Sequence, residues 1–343
     1  MRIKGLDFLR GIAIILVLFR HGEKLNILQH IGWLGVDLFF VLSGFLIAGL
    51  LFGEYRQTQK INVSNFLIKR GLKIYPSFYF FILSMIAFKY FVHHSFYARG
   101  TLISELLYLQ SYFPATQGHT WTLAVEEHFY FGFAFLMYWA TTKKILDNKM
   151  LTISCLLSIF VLCFANRFYL CYYHRKVEFF SFVATHLRCD GIIFDVLVAY
   201  LYHFTNFYIL FLKQIYYFYF VAIICFLPAF YFTGGGFFMN TFGISSVSFS
   251  FSILVLGSLR FGIDNARHQY KIVQIPFNFL CFIGLHSYSI YLWHLCCKEI
   301  IQLLGFADTI SYVLYFIFSI SIGLIFSYLI EQKFRFYLQK RII

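Results

Sequence analysis

A polytopic bundle of membrane-spanning α-helices is the fold class that this sequence predicts. Three observations carry the prediction. The 343 residues are 60% hydrophobic and only 13% charged, with a mean hydropathy of +0.73, which leaves too little polar surface to clothe a water-soluble domain. Apolar runs near the length of a bilayer crossing recur along the whole chain. The loops between those runs alternate between rich and poor in basic residues.

The runs lie near 6–21, 33–53, 76–91, 122–140, 151–169, 191–203, 215–232, 247–261, 277–296 and 311–330, so ten spans are expected. With the N-terminus inside, segments 1–5, 54–75, 141–150, 204–214, 262–276 and 331–343 hold 17 Lys and Arg. The opposite-side segments 22–32, 92–121, 170–190, 233–246 and 297–310 hold 6. Basic residues favour the cytoplasmic face, so both termini are expected there, in a multi-pass protein of the cell inner (plasma) membrane. The net charge of +13 then reads as basic cytoplasmic loops. No nucleic-acid partner is expected, because no basic segment stands apart from the apolar runs.

The 48 Phe and 26 Tyr suit bundle packing and interfacial belts. The eight cysteines form no C-x-x-C pair and no Cys/His cluster with zinc spacing, so neither a metal nor a disulfide framework is expected. "MRIKG" before the first apolar run resembles the start of a signal peptide. It lacks an A-x-A cleavage site, and an uncleaved first span is the reading. Residues 1–343 are read as one transmembrane domain without a soluble C-terminal domain.

Ionisable groups inside such runs are costly and mark function or pairing. In "LDFLRGIAIILVLFRHGE" Arg10 and His21 are eleven residues apart, which puts them within about 20° of one helix face and about 16 Å apart along it. They face one interior cavity, or they are a snorkelling Arg and an interfacial His. Asp37 in "GWLGVDLFFVLSGFLIAG" stands at the His21 level, with Ser43 deeper. It either orients the imidazole or caps the helix N-terminus. Lys69, Arg70 and Lys73 in "NFLIKRGLKIYPSFY" fit phosphate binding or simple topological bias, just before Pro76 starts the third span. In "GHTWTLAVEEHFYFG" Glu126 and Tyr130 share a face, while Glu127 and His128 point elsewhere. His294 in "GLHSYSIYLWH" stands at the outer level of His21, either as a site residue or as an interfacial anchor beside Trp293.

Together, "LDFLRGIAIILVLFRH", "GWLGVDLFFVLSGFLI", "FLIKRGLKIYP", "WTLAVEEHFY", "SYSIYLWH" and the weaker "YLIEQKF" resemble the acyltransferase-3 family of integral-membrane acyltransferases, in family order across nearly the whole chain. The resemblance implies ten core helices, a cytoplasmic acyl-CoA donor and a hydroxyl acceptor, often a sugar, across the membrane. Its Arg-x10-His pattern matches Arg10 and His21, and its W-S/T-L-x-x-E glutamate matches Glu126, with Trp121 opening the motif. Its R-x-x-R pattern matches Arg70 to Lys73, where Lys keeps the charge but loses the bidentate fork. Arg188 and Asp190 match a further R-x-D stretch, and Asp195 stands where the family usually has Gly.

The resulting expectation is an O-acyltransferase moving an acyl group, acetyl above all, to a cell-envelope glycan such as an O-antigen (lipopolysaccharide) or other surface polysaccharide. His21 is the expected base, or the carrier of a covalent acyl group, with Glu126 or Asp37 orienting it. Arg10, Lys69, Arg70 and Lys73 are expected to bind the donor. Ser43, Trp121, Tyr130, Arg188 and His294 are candidates for the cavity or acceptor side. Acetyl-CoA enters as co-substrate with no bound cofactor, and the partners are the bilayer, the glycan and a separate envelope protein. A transporter or flippase of lipid-linked sugars would use the same charges as a path. It would favour symmetric broken spans in the two halves, which the sequence lacks.

Overall fold

The structure, a computed structural model, describes residues 3–22, 26–173, 183–232, 236–262 and 271–334. The terminal residues 335–343 and the loop 263–270, whose basic groups enter the charge bias, lie outside the described residues. All regular structure among the described residues is helical. The elements are α1 (Lys4–His21), α2 (Asn26–Ile31), α3 (Leu34–Thr58), α4 (Val63–His93), α5 (Arg99–Leu106), α6 (Trp121–Thr142) and α7 (Lys149–Tyr173). They continue with α8 (Thr185–Phe204), α9 (Phe207–Lys213), α10 (Ile215–Phe226), α11 (Pro228–Tyr231), α12 (Ile244–Ser258), α13 (Lys271–Leu285), α14 (Ser287–Leu303) and α15 (Asp308–Phe326).

Five helical stretches are long and apolar enough to cross a bilayer, Ile27–Thr58, Val63–His93, Lys149–Tyr173, Met239–Ser258 and Asp308–Phe334; the number rises to 7 if each of two bent pairs is one span. α1 and α6 are not among them. Asp7, Arg10 and Arg20 interrupt the first, and Glu126, Glu127 and His128 the second. The polar groups that make these helices interesting are the ones that lower their apolar character. Large apolar side chains such as Leu83, Leu162, Ile223 and Ile317 stay exposed on the outer helices, as expected where lipid replaces water.

Two expected spans are drawn differently. Pro76 does not open the third span, because α4 runs through it from Val63 to His93. Proline inside a spanning helix is tolerated where neighbours supply hydrogen bonds, and the Tyr288 hydroxyl donates to the Ile74 carbonyl nearby (3.1 Å). The ninth run breaks at His286, whose backbone is not helical, and α13 and α14 meet there at a bend of 78°.

Two apolar cores organise the bundle. One joins α3 to α6, α8 and α12; the other joins α1, α4, α14 and the inner face of α15. Val36, Phe39, Tyr75 and Tyr288 pack against both. α1 approaches α13 closely because both carry glycine at the crossing. A Cβ on Gly11 would overlap the Leu280 carbonyl, and one on Gly284 would overlap the Asp7 carbonyl. This crossing holds Arg10 beside the α13–α14 break.

Candidate active site

A cavity lies where the two cores meet. Arg10 from α1, Ser43 from α3, Arg70 and Lys73 from α4, and Thr122, Glu126, Glu127 and Tyr130 from α6 line it. Tyr288 and Tyr291 of α14 and Glu331, in the π-turn after α15, close the opposite wall. Helical spacing explains the convergence: Arg70 and Lys73 are i,i+3 neighbours, as are Tyr288 and Tyr291, and Glu126 and Tyr130 are i,i+4.

The Tyr130 hydroxyl donates to Glu126 and lies 3.4 Å from Ser43 Oγ. The Arg70 guanidinium sits 4.5 Å above the Tyr130 ring. Arg10 is 3.6 Å from Asp7, one turn back on α1. Glu127 also faces the cavity, against expectation, and accepts from the Tyr75 hydroxyl (3.0 Å). The cavity is broad enough to take residues 100° apart on α6. Lys69 is exposed and does not line it, so the expected trio of cations reduces to Arg70 and Lys73, joined by Arg10.

His21 does not share this cavity. It lines a second, smaller pocket with Gly22, Lys298, Asp308, Tyr312 and Tyr315. The common helix face expected of Arg10 and His21 does not make a common cavity, because other side chains fill the length of helix between them. His21 lies 5.1 Å, ring to ring, from His294, and His294 lies 4.7 Å from His119. Tyr291 stands beside both, its hydroxyl 2.8 Å from Thr122 Oγ1 and donating to the His119 carbonyl (2.9 Å). Tyr291, Thr122, His119 and His294 thus form a partition between the cavity and the His21 pocket. His294 is fully buried, which removes the interfacial-anchor reading.

Backbone carbonyls fix two of these imidazoles. His294 Nδ1–H donates to the Tyr291 carbonyl (2.6 Å), and His119 Nε2–H donates to the Leu292 carbonyl (3.1 Å). A carbonyl only accepts, so the other nitrogen of each neutral ring is bare. His294 Nε2 and His119 Nδ1 are buried without a hydrogen-bond partner among the described residues. Burial, with His21 nearby, pushes the His119 imidazole down to about 3, so it rests neutral.

The loop that carries His119 is anchored by Glu105. Its Oε1 accepts from Thr116 N (2.7 Å), Thr116 Oγ1 (2.8 Å) and Thr120 Oγ1 (2.9 Å). Sequence reasoning passed over His119, Tyr291 and Glu331, although each lies inside a quoted motif. An imidazole two residues before Trp121 was the available signal.

Asp37 stands in the first turn of α3, and its carboxylate is taken up in a buried ion pair with Arg188. The Arg188 guanidinium also lies 5.5 Å from the Phe40 ring and 6.0 Å from that of Trp121. Asp190 pairs with fully buried Arg167 (2.7 Å), bridged by Ser245. The R-x-D stretch therefore ties α8 to α3 and α7. Asp195 accepts from Ser252 (3.0 Å) on α12, one turn along from the Ile192 carbonyl that a Cβ on Gly44 would overlap. No metal-ligating cluster of His, Cys, Asp or Glu occurs among the described residues.

The family model that matches is the acyltransferase domain, over residues 3–332. The chain belongs to the acyltransferase-3 family. Among curated relatives, peptidoglycan O-acetyltransferase OatA of Listeria monocytogenes is 32% identical over 165 residues, 42% of this chain and 26% of that protein. O-acetyltransferase OatA of Staphylococcus aureus is 32% identical over 144 residues, 38% of this chain and 24% of that protein. The chain thus spans about a quarter of the length of the relatives it matches. No solved structure matches. In this acyltransferase-3 chain, His21 and Glu126 stand on opposite sides of the partition.

Proposed function

We propose that the chain transfers an acetyl group from acetyl-CoA, supplied from the cytoplasm, to a hydroxyl of a cell-wall glycan of the peptidoglycan type. Family membership and the relatives' names support the reaction, and those names favour peptidoglycan over the O-antigen expected from sequence. The observation that carries the reading is the convergence of Arg10, Arg70 and Lys73 with the Glu126–Tyr130 pair in one cavity. The cavity holds about 100 Å³, room for a few waters at roughly 30 Å³ each. That volume suits the acetyl thioester end of the donor and leaves the nucleotide in the opening. Arg70 and Lys73 would meet its phosphates with charge-assisted hydrogen bonds.

For His21 to take the proton of the acceptor hydroxyl, or to carry the acyl group before the acceptor attacks, the thioester carbon would have to reach it, so Tyr291, Thr122, His119 and His294 would shift aside during transfer. The layout behind this reading has both termini in the cytoplasm of a cell whose inner membrane holds ten spans, α1 and α6 included. The acyl group would be presented to the glycan directly or through a separate envelope partner.

The deciding measurement is CoA release by purified protein in lipid, from labelled acetyl-CoA, with peptidoglycan fragments, with an O-antigen glycan and with neither. Label on the peptidoglycan fragment is the expected outcome. Acetyl-CoA left intact in every arm would sink the reading and return the transporter alternative.

A further inference from the structure

The His21 pocket holds about 30 Å³, room for a hydroxyl group and little more. The ring of an acceptor sugar does not fit there, so the body of the acceptor needs a seat beside that pocket. A cleft one residue further round α14 supplies it. Lys298 lines the His21 pocket and Glu299 lines the cleft, and successive residues of a helix point about 100° apart. The cleft holds about 390 Å³, inside the range of roughly 300–1,000 Å³ usual for small-molecule sites. Phe88, Lys89 and His93 at the end of α4 line it, with Ser95 and Tyr97 just beyond. Thr116 and Gln117, from the loop that carries His119, complete the wall.

We propose that this cleft is a sugar subsite, which holds one neutral, hydroxyl-rich ring of the glycan while the next ring presents its hydroxyl to His21. The charges of the cleft are answered from within. His93 Nε2–H donates to Glu299 Oε1 (2.8 Å), and Gln117 Nε2 lies 3.4 Å from Glu299 Oε2. The Lys89 ammonium sits 4.1 Å from the centre of the Tyr97 ring. A cleft balanced in this way suits a neutral ligand better than an anion or a cation. A sugar hydroxyl both donates and accepts, so it can add to a carboxylate with lone pairs to spare, and to the Ser95 hydroxyl, without breaking those pairs. The bond to Glu299 is the strongest of these, because its acceptor is ionised. Phe88 and Tyr97, both half-buried, offer aromatic surface to the apolar face of a sugar ring. A ring seated here touches both the helix that carries Lys298 and the loop that carries His119, so it lies against the His21 pocket and the partition together. Glu299 and Tyr97 meet the glycan away from its reacting hydroxyl, and both are positioning residues.

The inference rests on the proposed transfer reaction for the role of the neighbouring ring, and binding measured without donor separates the two. The parent chain, Glu299→Ala and Tyr97→Ala are compared in lipid nanodiscs at equal abundance. The first reading is the affinity for a peptidoglycan disaccharide, for its single-sugar fragment and for an O-antigen glycan, with no acetyl-CoA present. The second is KM and kcat for the disaccharide, with acetyl-CoA affinity alongside. Glu299→Ala should weaken disaccharide binding and raise its KM by roughly tenfold, the lower end for a hydrogen bond to a charged group. Tyr97→Ala should do so by roughly threefold to tenfold, as for a lost aromatic contact. Acetyl-CoA affinity and kcat should hold, and the single-sugar fragment should bind all three chains alike. Parent-like disaccharide affinity in both variants overturns the subsite. So does an equal loss for the single sugar, or a loss of acetyl-CoA affinity in step, either of which makes the residues structural. If Glu299→Ala does not accumulate, Tyr97→Ala decides alone. Binding of the O-antigen glycan in place of the peptidoglycan fragment, weakened in the same variants, supports the subsite and changes the glycan; binding of neither overturns it. A parent that binds the disaccharide but leaves acetyl-CoA intact refutes the reaction and keeps the sugar site.

Discussion

Asp37 of α3 and Arg188 of α8 meet as an ion pair, each only 2% exposed, where those helices pack together. Removing one partner leaves the other charge buried and unmatched, which costs about 3–5 kcal/mol. Replacing both with apolar residues of similar size is often close to neutral. Asp37→Ala is therefore expected to lower the melting temperature and membrane abundance sharply. The double variant Asp37→Leu with Arg188→Met should recover most of both. A stable double variant that still transfers acetyl would confine Asp37 to folding, and a stable but inactive one would restore its catalytic candidacy.

Arg70 and Lys69 are adjacent in sequence but differ in what they face: Arg70 lines the cavity and Lys69 is exposed. Arg70→Ala should weaken acetyl-CoA binding by roughly tenfold to a hundredfold, the range of a charged hydrogen bond. Lys69→Ala should leave affinity unchanged. Direct titration of donor onto the two variants checks this, and equal behaviour would return the basic cluster to a topological role.

Glu126 and Glu127 both enter the cavity, with different partners. Glu126 accepts from Tyr130, under the Arg70 guanidinium, while Glu127 holds Tyr75. Glu126→Gln should reduce turnover by about a hundredfold or more, as for a group that stabilises charge at the reacting centre. Glu127→Gln should cost less. Turnover at matched abundance decides, and equal losses would mean that the two carboxylates act together.

Much of this site was legible in the sequence because helical periodicity is local. Arg70 and Lys73, or Glu126 and Tyr130, share a face by spacing alone, and their motifs marked them. The partition was not legible. It depends on the break at His286, which aims Tyr291 and His294 between α1 and α6, and on a loop that delivers His119 from outside any apolar run. Partner choice was hidden for the same reason. Asp37 and Arg188 are 151 residues apart, and nothing in either motif names the other. The ten expected spans were read from run length, whereas α1 and α6 keep several charges because they face a polar interior.

Glu105 gives a pH-dependent handle on the loop that carries His119. Burial pushes its carboxyl above the ordinary range, against hydrogen bonds from Thr116 and Thr120 that pull it down. A raised folded-state value means that the folded chain binds the proton more tightly than the unfolded one. The stabilisation is complete below the unfolded value of about 4.3 and is lost as pH rises through the folded one. Melting temperature should fall across that interval in the parent. Glu105→Gln keeps an accepting oxygen for the threonines and cannot ionise, so its melting temperature should be flatter with pH. An identical slope in both proteins would place the titration elsewhere.

Arg10 and His21 lie on one helix but on opposite sides of the partition, so their loss should break different things. If His21 meets the acceptor as proposed, His21→Ala should lower the rate by about 10²–10⁴-fold, the typical loss for a general base. Donor affinity should hold, because Arg10, Arg70 and Lys73 line a cavity separated from His21 by Tyr291, Thr122, His119 and His294. Arg10→Ala should do the reverse, weakening acetyl-CoA binding, since its guanidinium lines the same cavity as Arg70 and Lys73, beside Asp7. Arg10→Lys should restore affinity only in part, because an ammonium lacks the planar fork. Turnover and acetyl-CoA affinity, measured separately at equal membrane abundance, read out the split. Parent-like turnover in His21→Ala would remove His21 from the chemistry. Equal loss of donor affinity in all three variants would mean that α1 is a structural helix whose charges serve only its packing.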